Sequence, residues 1–245
     1  SGKGVGLVVP TLLTWRHSAV IHDIKGENWT LTSGWRSRFS HCLLFDPTNP
    51  LSARFNPLLE VRKGEMEVRD VQNIADILVD PDGAREQRDH WEKTAHALLV
   101  GTILHVLYAE KEKTLARVAT FLADPARSIR RTLWIMLTTN HLGTDATPVV
   151  HPVVASVARE LLNKTDNERS GVVSTAMSLL GLYRDPIIAA TTSASLGAKP
   201  SFSSPGAQAA SSTRGRSIRK GAAEGTRRAC TEGRRIIGRI PGLAH

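Results

Sequence analysis

The chain has 245 residues, an apolar fraction of 41%, a formal charge of +9 at pH 7 and two cysteines. That length and composition suit one large or two ordinary globular domains, and two widely separated thiols, Cys42 and Cys230, exclude a disulfide scaffold and fit a reducing compartment. The positive charge is confined to one end: residues 196–245 hold 10 Lys+Arg and 2 Asp+Glu, leaving 22 and 21 for a nearly neutral body. No stretch approaches the roughly 18 uncharged apolar residues of a membrane helix, since Val5 to Leu13 is interrupted by Pro10 and Ala97 to Tyr108 is short. No charged leader precedes an apolar run, so no signal peptide is expected.

The first element, Ser1-Gly2-Lys3-Gly4, reads as the second half of a phosphate-binding loop of the G-x-x-x-x-G-K-[ST] type, or as a plain flexible terminus. In such a loop Lys3 places its charge on the β- and γ-phosphates while backbone N–H groups surround them. Gly4 lacks the hydroxyl that normally binds Mg²⁺, so metal binding is expected to be weak or supplied elsewhere. The following VGLVVPTLLTW predicts a helix kinked or restarted at Pro10. Two short apolar runs, Ser18 to Asp23 and His41 to Phe45, predict buried parallel strands. Asp23 and Asp46 then fall at the carboxyl edge of a sheet, where open α/β folds bind ligands. Asp23 and Glu27 are candidates for the nucleotide site, or merely for a turn or helix cap.

From residue 64 the pattern becomes helical. Val68, Val71, Ile74 or Ala75 and Leu78 recur at helical spacing, and Trp91, Ala95, Leu98, Leu99, Ile103, Val106 and Leu107 extend such a pattern over five turns. Asp89-His90-Trp91-Glu92 predicts a capping box, and Asp124-Pro125 predicts an N-cap with proline in the first turn. Val154, Val157, Ala158 and Leu161 form another stripe, and a last helix from about Asn167 weakens near Asp185-Pro186. About six helices follow one another, an all-helical module beside or inserted into the α/β unit.

Other chemistry is poorly represented. The nine histidines are scattered, His90, His96 and His105 lack ligand spacing on one face, and no H-E-x-x-H, C-x-x-C or G-x-S-x-G occurs. Solvated or capping histidines are expected. Arg127, Arg130 and Arg131 beside Trp134 form either a basic face for DNA or a solvated helix edge. Beyond Leu196 the Ser-, Gly-, Ala- and Arg-rich segment has no apolar period and is expected to be disordered. It is either a nucleic-acid arm or the product of a GC-rich gene read out of frame.

In order and spacing, SGKGVGLVVPTLLTW, SAVIHDIKGENW, CLLFDPTNP and ARFNPL resemble the TraG-type coupling proteins of conjugal transfer and type IV secretion. DHWEKTAHALLVGTILHVLY and NERSGVVSTAMSLLGLY extend the resemblance to about Ser195. It implies an α/β fold: a partial RecA-like P-loop domain over residues 1–63, an inserted all-α domain over 64–190, and a low-complexity basic tail over 191–245. It maps Ser1, Gly2, Lys3 and Gly4 onto the phosphate loop, where glycine after lysine looks like the subgroup's own variant, and Asp23, Lys25, Gly26 and Glu27 near the nucleotide. No catalytic residue or metal ligand is assigned.

The implied cofactors are ATP and Mg²⁺. The implied partners are a relaxase or relaxosome, single-stranded DNA and the channel proteins of the secretion system. The full-length family is implied to be homohexameric at the cytoplasmic face of the bacterial inner membrane, the present chain being soluble. The first P-loop glycine and the acidic Walker B strand have no counterpart here, so ATP hydrolysis is expected to be impaired. Loss of both resemblance and apolar period after Ser195 favours the out-of-frame origin of the tail. Rival functions are a non-catalytic helical docking module and a nucleic-acid binder acting through the tail.

Overall fold

A computed structural model describes residues 2–81, 83 and 89–194; Ser1 and the tail from Ser195 onward lie outside the described residues. The described residues fall into two compact units, 2–44 and 45–194.

In the first unit, a π-helical segment (Gly4–Val8) runs directly into α1 (Val9–Thr14). The change of geometry comes just before Pro10, which has no N–H to give to the carbonyls of the preceding turn. A second helix, α2 (Glu27–Arg36), starts after Gly26, whose φ of 70° is left-handed and favours glycine. The two helices are joined at their C-terminal ends. The buried Arg36 guanidinium donates to the carbonyls of Leu12 (2.9 Å), Trp15 (2.6 Å) and His17 (3.1 Å), and Trp35 Nε1 donates to Leu13 O at 2.9 Å. The bonds to Leu12 and Leu13 satisfy last-turn carbonyls of α1 that the helix itself cannot pair, and those to Trp15 and His17 hold the chain that follows it.

The two expected strands do not form among the described residues. Residues 18–23 and 41–45 carry no strand ladder, and the whole described chain is helical or irregular. A parallel strand is stabilised by hydrogen bonds to neighbours and by burial of both faces, and here neither is supplied. Val20 is fully exposed and Ile24 is 85% exposed.

The second unit is helical from residue 57 on. A 3₁₀ turn (Pro57–Glu60) precedes α3 (Glu67–Val79), α4 (His90–Ala109), α5 (Leu115–Leu122), α6 (Ile129–Thr138), α7 (Pro152–Asn163) and α8 (Asp166–Leu179). A second 3₁₀ turn (Gly181–Arg184) leads to α9 (Pro186–Thr191). Beyond its polar first turns helix α4 is buried nearly all round and forms the axis of the unit, with α3, α5, α7 and α8 packed against it and α6 against α7. Leu98, Leu99, Ile103 and Leu104 are wholly buried, each contributing about 1.5–3 kcal/mol of transfer free energy. Where α4 crosses α7, a Cβ on Gly101 would lie 2.9 Å from Val157 Cγ1, so the crossing requires glycine.

Local signals account for most helix starts. Asp89 and Glu92 make both bonds of the expected capping box, at 2.7 and 3.3 Å. Thr114, Ser128, His151, Thr165 and Asp185 cap α5 to α9. Asp124 is not the expected N-cap. Its carboxylate closes a turn on Ala126 N (2.9 Å), an alternative open to any Asp before a proline, and the N-cap of α6 is Ser128, four residues later. Pro186 likewise begins a helix instead of only ending one. The buried Arg169 donates to Leu161 O (2.9 Å) and Leu162 O (3.0 Å), closing the end of α7.

The unit closes on itself. Phe55 N bonds to Thr191 O at 2.9 Å, Thr191 Oγ1 to Pro47 O at 3.1 Å, and Asn56 Nδ2 to Lys113 O at 2.8 Å. The chain therefore enters and leaves this unit at one place.

Candidate functional site

Residues 2–4 start the first helical segment. Gly6 N bonds to Gly2 O at 2.8 Å, Lys3 has helical φ and ψ, and no side chain caps this N-terminus. The N–H groups of its first turn are therefore left without intrahelical acceptors, at the end where the backbone dipole is positive. Gly2 and Gly4 are exposed with open space where a Cβ would stand, and Lys3 is exposed. N–H groups, bare backbone and an ammonium are the groups that bind phosphate oxygens. The described residues thus fit the phosphate part of ATP. For Mg²⁺, Gly4 offers no oxygen side chain at the position after the lysine.

The second predicted segment begins α2. Asp23 accepts from Trp29 N (2.8 Å) and Asn28 Nδ2 (3.3 Å), and its carbonyl accepts from Gly26 N (3.3 Å). Lys25 is exposed in the turn, and Glu27 occupies the first helical turn, where a carboxylate is favoured. The string D-x-K-G-E thus has a local role, that of shaping and capping a helix start. Both predicted segments occupy helix N-termini, and the C-terminal ends of those helices are pinned together by Trp35 and Arg36. That pin joins residues more than twenty apart and has no short-range sequence signal.

A second cluster lies inside the helical unit and was not expected from sequence. His151 Nδ1 accepts from Val153 N (3.2 Å), so its proton sits on Nε2, which donates to Glu67 Oε1 at 3.0 Å. His141 Nδ1 accepts from His151 N (3.3 Å), so its Nε2–H donates to His105 Nδ1 at 2.9 Å. Tyr108 OH and Gly64 N complete the shell of Glu67. His105, His141 and His151 are therefore not the solvated residues expected; only His151 also acts as a cap, and the buried ring of His105 lies 4.6 Å from Phe121.

The electrostatics follow from burial. It pushes His105 down to about 3, with His141 and nearby cations adding, and His141 down to about 4, with His151 adding. Burial pushes Glu67 up, but donors from Tyr108, Gly64 and His151 outweigh it and hold the carboxyl below its usual range. Tyr108 is raised to about 12 by burial and by its bond to Glu67. The cluster is a neutral-histidine chain around one carboxylate, holding α3, α4 and the α6–α7 loop together.

The three arginines near Trp134 divide. Arg127 turns inward, over the Phe121 ring at 4.5 Å and bonded to Phe121 O at 3.0 Å. Arg130 pairs with Asp166 at 2.9 Å, while Arg131 and Trp134 are exposed.

Comparison with known proteins gives the family. The family described as Type IV secretory system Conjugative DNA transfer matches residues 1–196, and the chain belongs to it. It is 50% identical over 204 residues to the conjugal transfer protein TraG of Escherichia coli, covering 80% of this chain and 31% of that relative. A second TraG of the same organism is 48% identical over 204 residues, with the same coverage. Protein VirD4 of Agrobacterium fabrum is 26% identical over 200 residues, covering 80% of this chain and 28% of its own. The chain thus spans about a third of the length of the TraG relatives. It is a TraG-type coupling-protein sequence of conjugative transfer, and no helix among the described residues is long and apolar enough to cross a membrane.

Proposed function

We propose that this chain forms part of a P-loop coupling ATPase that recruits a relaxase–DNA substrate and drives it into a type IV secretion channel. In this proposal residues 1–63 belong to a RecA-like motor domain and residues 64–190 to an inserted all-α domain that contacts substrate. The observation that carries it is the family match over residues 1–196, with half the residues identical to TraG. The closure of the helical unit through Phe55, Thr191 and Asn56 supports insertion, because an inserted domain leaves its host where it entered. The complete protein would act as a hexamer at the inner membrane, with the relaxosome, single-stranded DNA and channel proteins as partners.

When bound, ATP would supply the phosphoryl group whose hydrolysis powers transport. The groups that would hold it are the first-turn N–H groups and the ammonium of Lys3, with Gly2 and Gly4 permitting close approach. Gly4 in place of the usual hydroxyl residue removes one Mg²⁺ ligand, and on this ground ATP turnover by this chain is proposed to be weak. A fluorescent ATP analogue should bind the purified chain, and Lys3→Ala should weaken binding about tenfold or more, the loss of a charge-assisted contact. Equal binding by the variant would refute the assignment of Lys3, and vigorous Lys3-dependent turnover would refute weak hydrolysis.

A second function, a helical docking module, is supported by the self-contained core of residues 45–194. Capture of a relaxase–DNA complex that is indifferent to ATP and to Lys3→Ala would favour it over the motor.

A further inference from the structure

We propose that the exposed face of α6 bearing Arg130, Arg131 and Trp134 is a contact surface for single-stranded nucleic acid. This inference rests on the DNA-transfer function proposed above and assigns one of its contact sites. Positions 130, 131, 134 and 138 lie along one side of α6, and all four are exposed. Trp134 is 52% exposed, whereas its helix neighbours Leu133 and Met136 are fully buried. A large apolar ring is therefore held out to solvent by a rigid, well-packed helix.

The charge beside it is one-sided. From Pro125 to Thr144 the sequence has no acidic residue. Arg130 meets Asp166, but Arg131 has no ionic partner among the described residues. Both arginines occupy the first turn of α6, the helix end where cations are disfavoured, so intrahelical electrostatics does not account for them. Arg130 is answered by Asp166, and an external anion would answer Arg131 and share Arg130 with that carboxylate. The arginines would meet phosphodiester oxygens while the indole stacks on a base one turn along, and only an unpaired base offers its face in that way. Arg127 is excluded, because its guanidinium is committed to Phe121.

The test uses the whole 245-residue chain and an oligodeoxythymidylate carrying 5-iodouracil, photo-crosslinked and mapped by peptide mass spectrometry. Crosslinking to the peptide that contains Trp134 is expected. In anisotropy titrations Trp134→Ala should weaken binding about tenfold and Trp134→Phe much less, as loss of one base stack implies. Arg131→Ala should lower the slope of log affinity against log salt by about 0.7, one phosphate of a single strand. Crosslinks confined to residues 196–245, or unchanged affinity in Trp134→Ala, would overturn the inference while leaving DNA transfer standing. Failure of the wild-type chain to bind the oligonucleotide at low salt would overturn both. Equally tight duplex binding with the same Trp134 dependence would overturn single-strand selectivity. Loss of relaxase capture without loss of oligonucleotide binding would reassign the face to a protein.

Discussion

Residues 45–194 and residues 2–44 solve the burial problem differently. The helical unit wraps one apolar helix, α4, in others and pairs its buried polar groups, down to a chain of histidines ending on Glu67. Among its described residues the first unit has only Leu12 as a buried apolar side chain, and the guanidinium of Arg36 joins its helices. Helices complete their backbone bonds internally and need only one covered face, whereas the two strand-like runs need neighbours on either side. A helical segment can therefore finish its structure locally, and a strand cannot.

If this contrast is right, core truncation in the helical unit should have the largest effect. Leu104→Ala should cost about 2–5 kcal/mol by urea denaturation, because the site is fully enclosed. A loss below 1 kcal/mol would show the core to be loose. Arg36→Met should cost about 1–3 kcal/mol by leaving buried carbonyls unpaired, and only locally. Hydrogen exchange should quicken in residues 9–15 and 27–36 with α4 unchanged; protection lost in both units together would contradict their independence.

Acid should act mainly on the helical unit. His105 and His141 are held at about 3 and about 4, below the ordinary value of 6.5. The unfolded chain therefore protonates first, and the stability due to the neutral rings, complete above about pH 6.5, is lost as pH falls towards 4. Each histidine contributes up to about 1.4 kcal/mol per pH unit in that window, and His141→Gln should remove one share. Urea midpoints at pH 7 and pH 5 measure it, and equal acid sensitivity in wild type and variant would exclude this origin. The smallest effect is expected at Val20, fully exposed, where Val20→Ser should stay within about 0.5 kcal/mol.

Legibility in the sequence followed the same division. The capping box at Asp89–Glu92, the stripe through α3 and the long apolar run of α4 are local patterns, and local geometry honours them. The strands at 18–23 and 41–45 were read from composition, but a strand exists only with its partner. Lys3, Asp23 and Glu27 were visible as motif residues, and the structure adds the helix-start geometry each occupies. The histidine chain was hidden because its members stand 36, 10 and 84 positions apart along successive links. One hint was present: His105 interrupts an otherwise apolar run, and a polar residue there must find a partner.

That chain of rings also has a sense. Each link has a fixed donor and a fixed acceptor, so neither His141 nor His151 can turn over without breaking a bond on each side of it. An apolar filling of the same volume could hold the α6–α7 loop as firmly but would carry no such donor–acceptor order. The bonds of the ring chain thus specify the loop's seating on α4 atom by atom, as an indexing pin does.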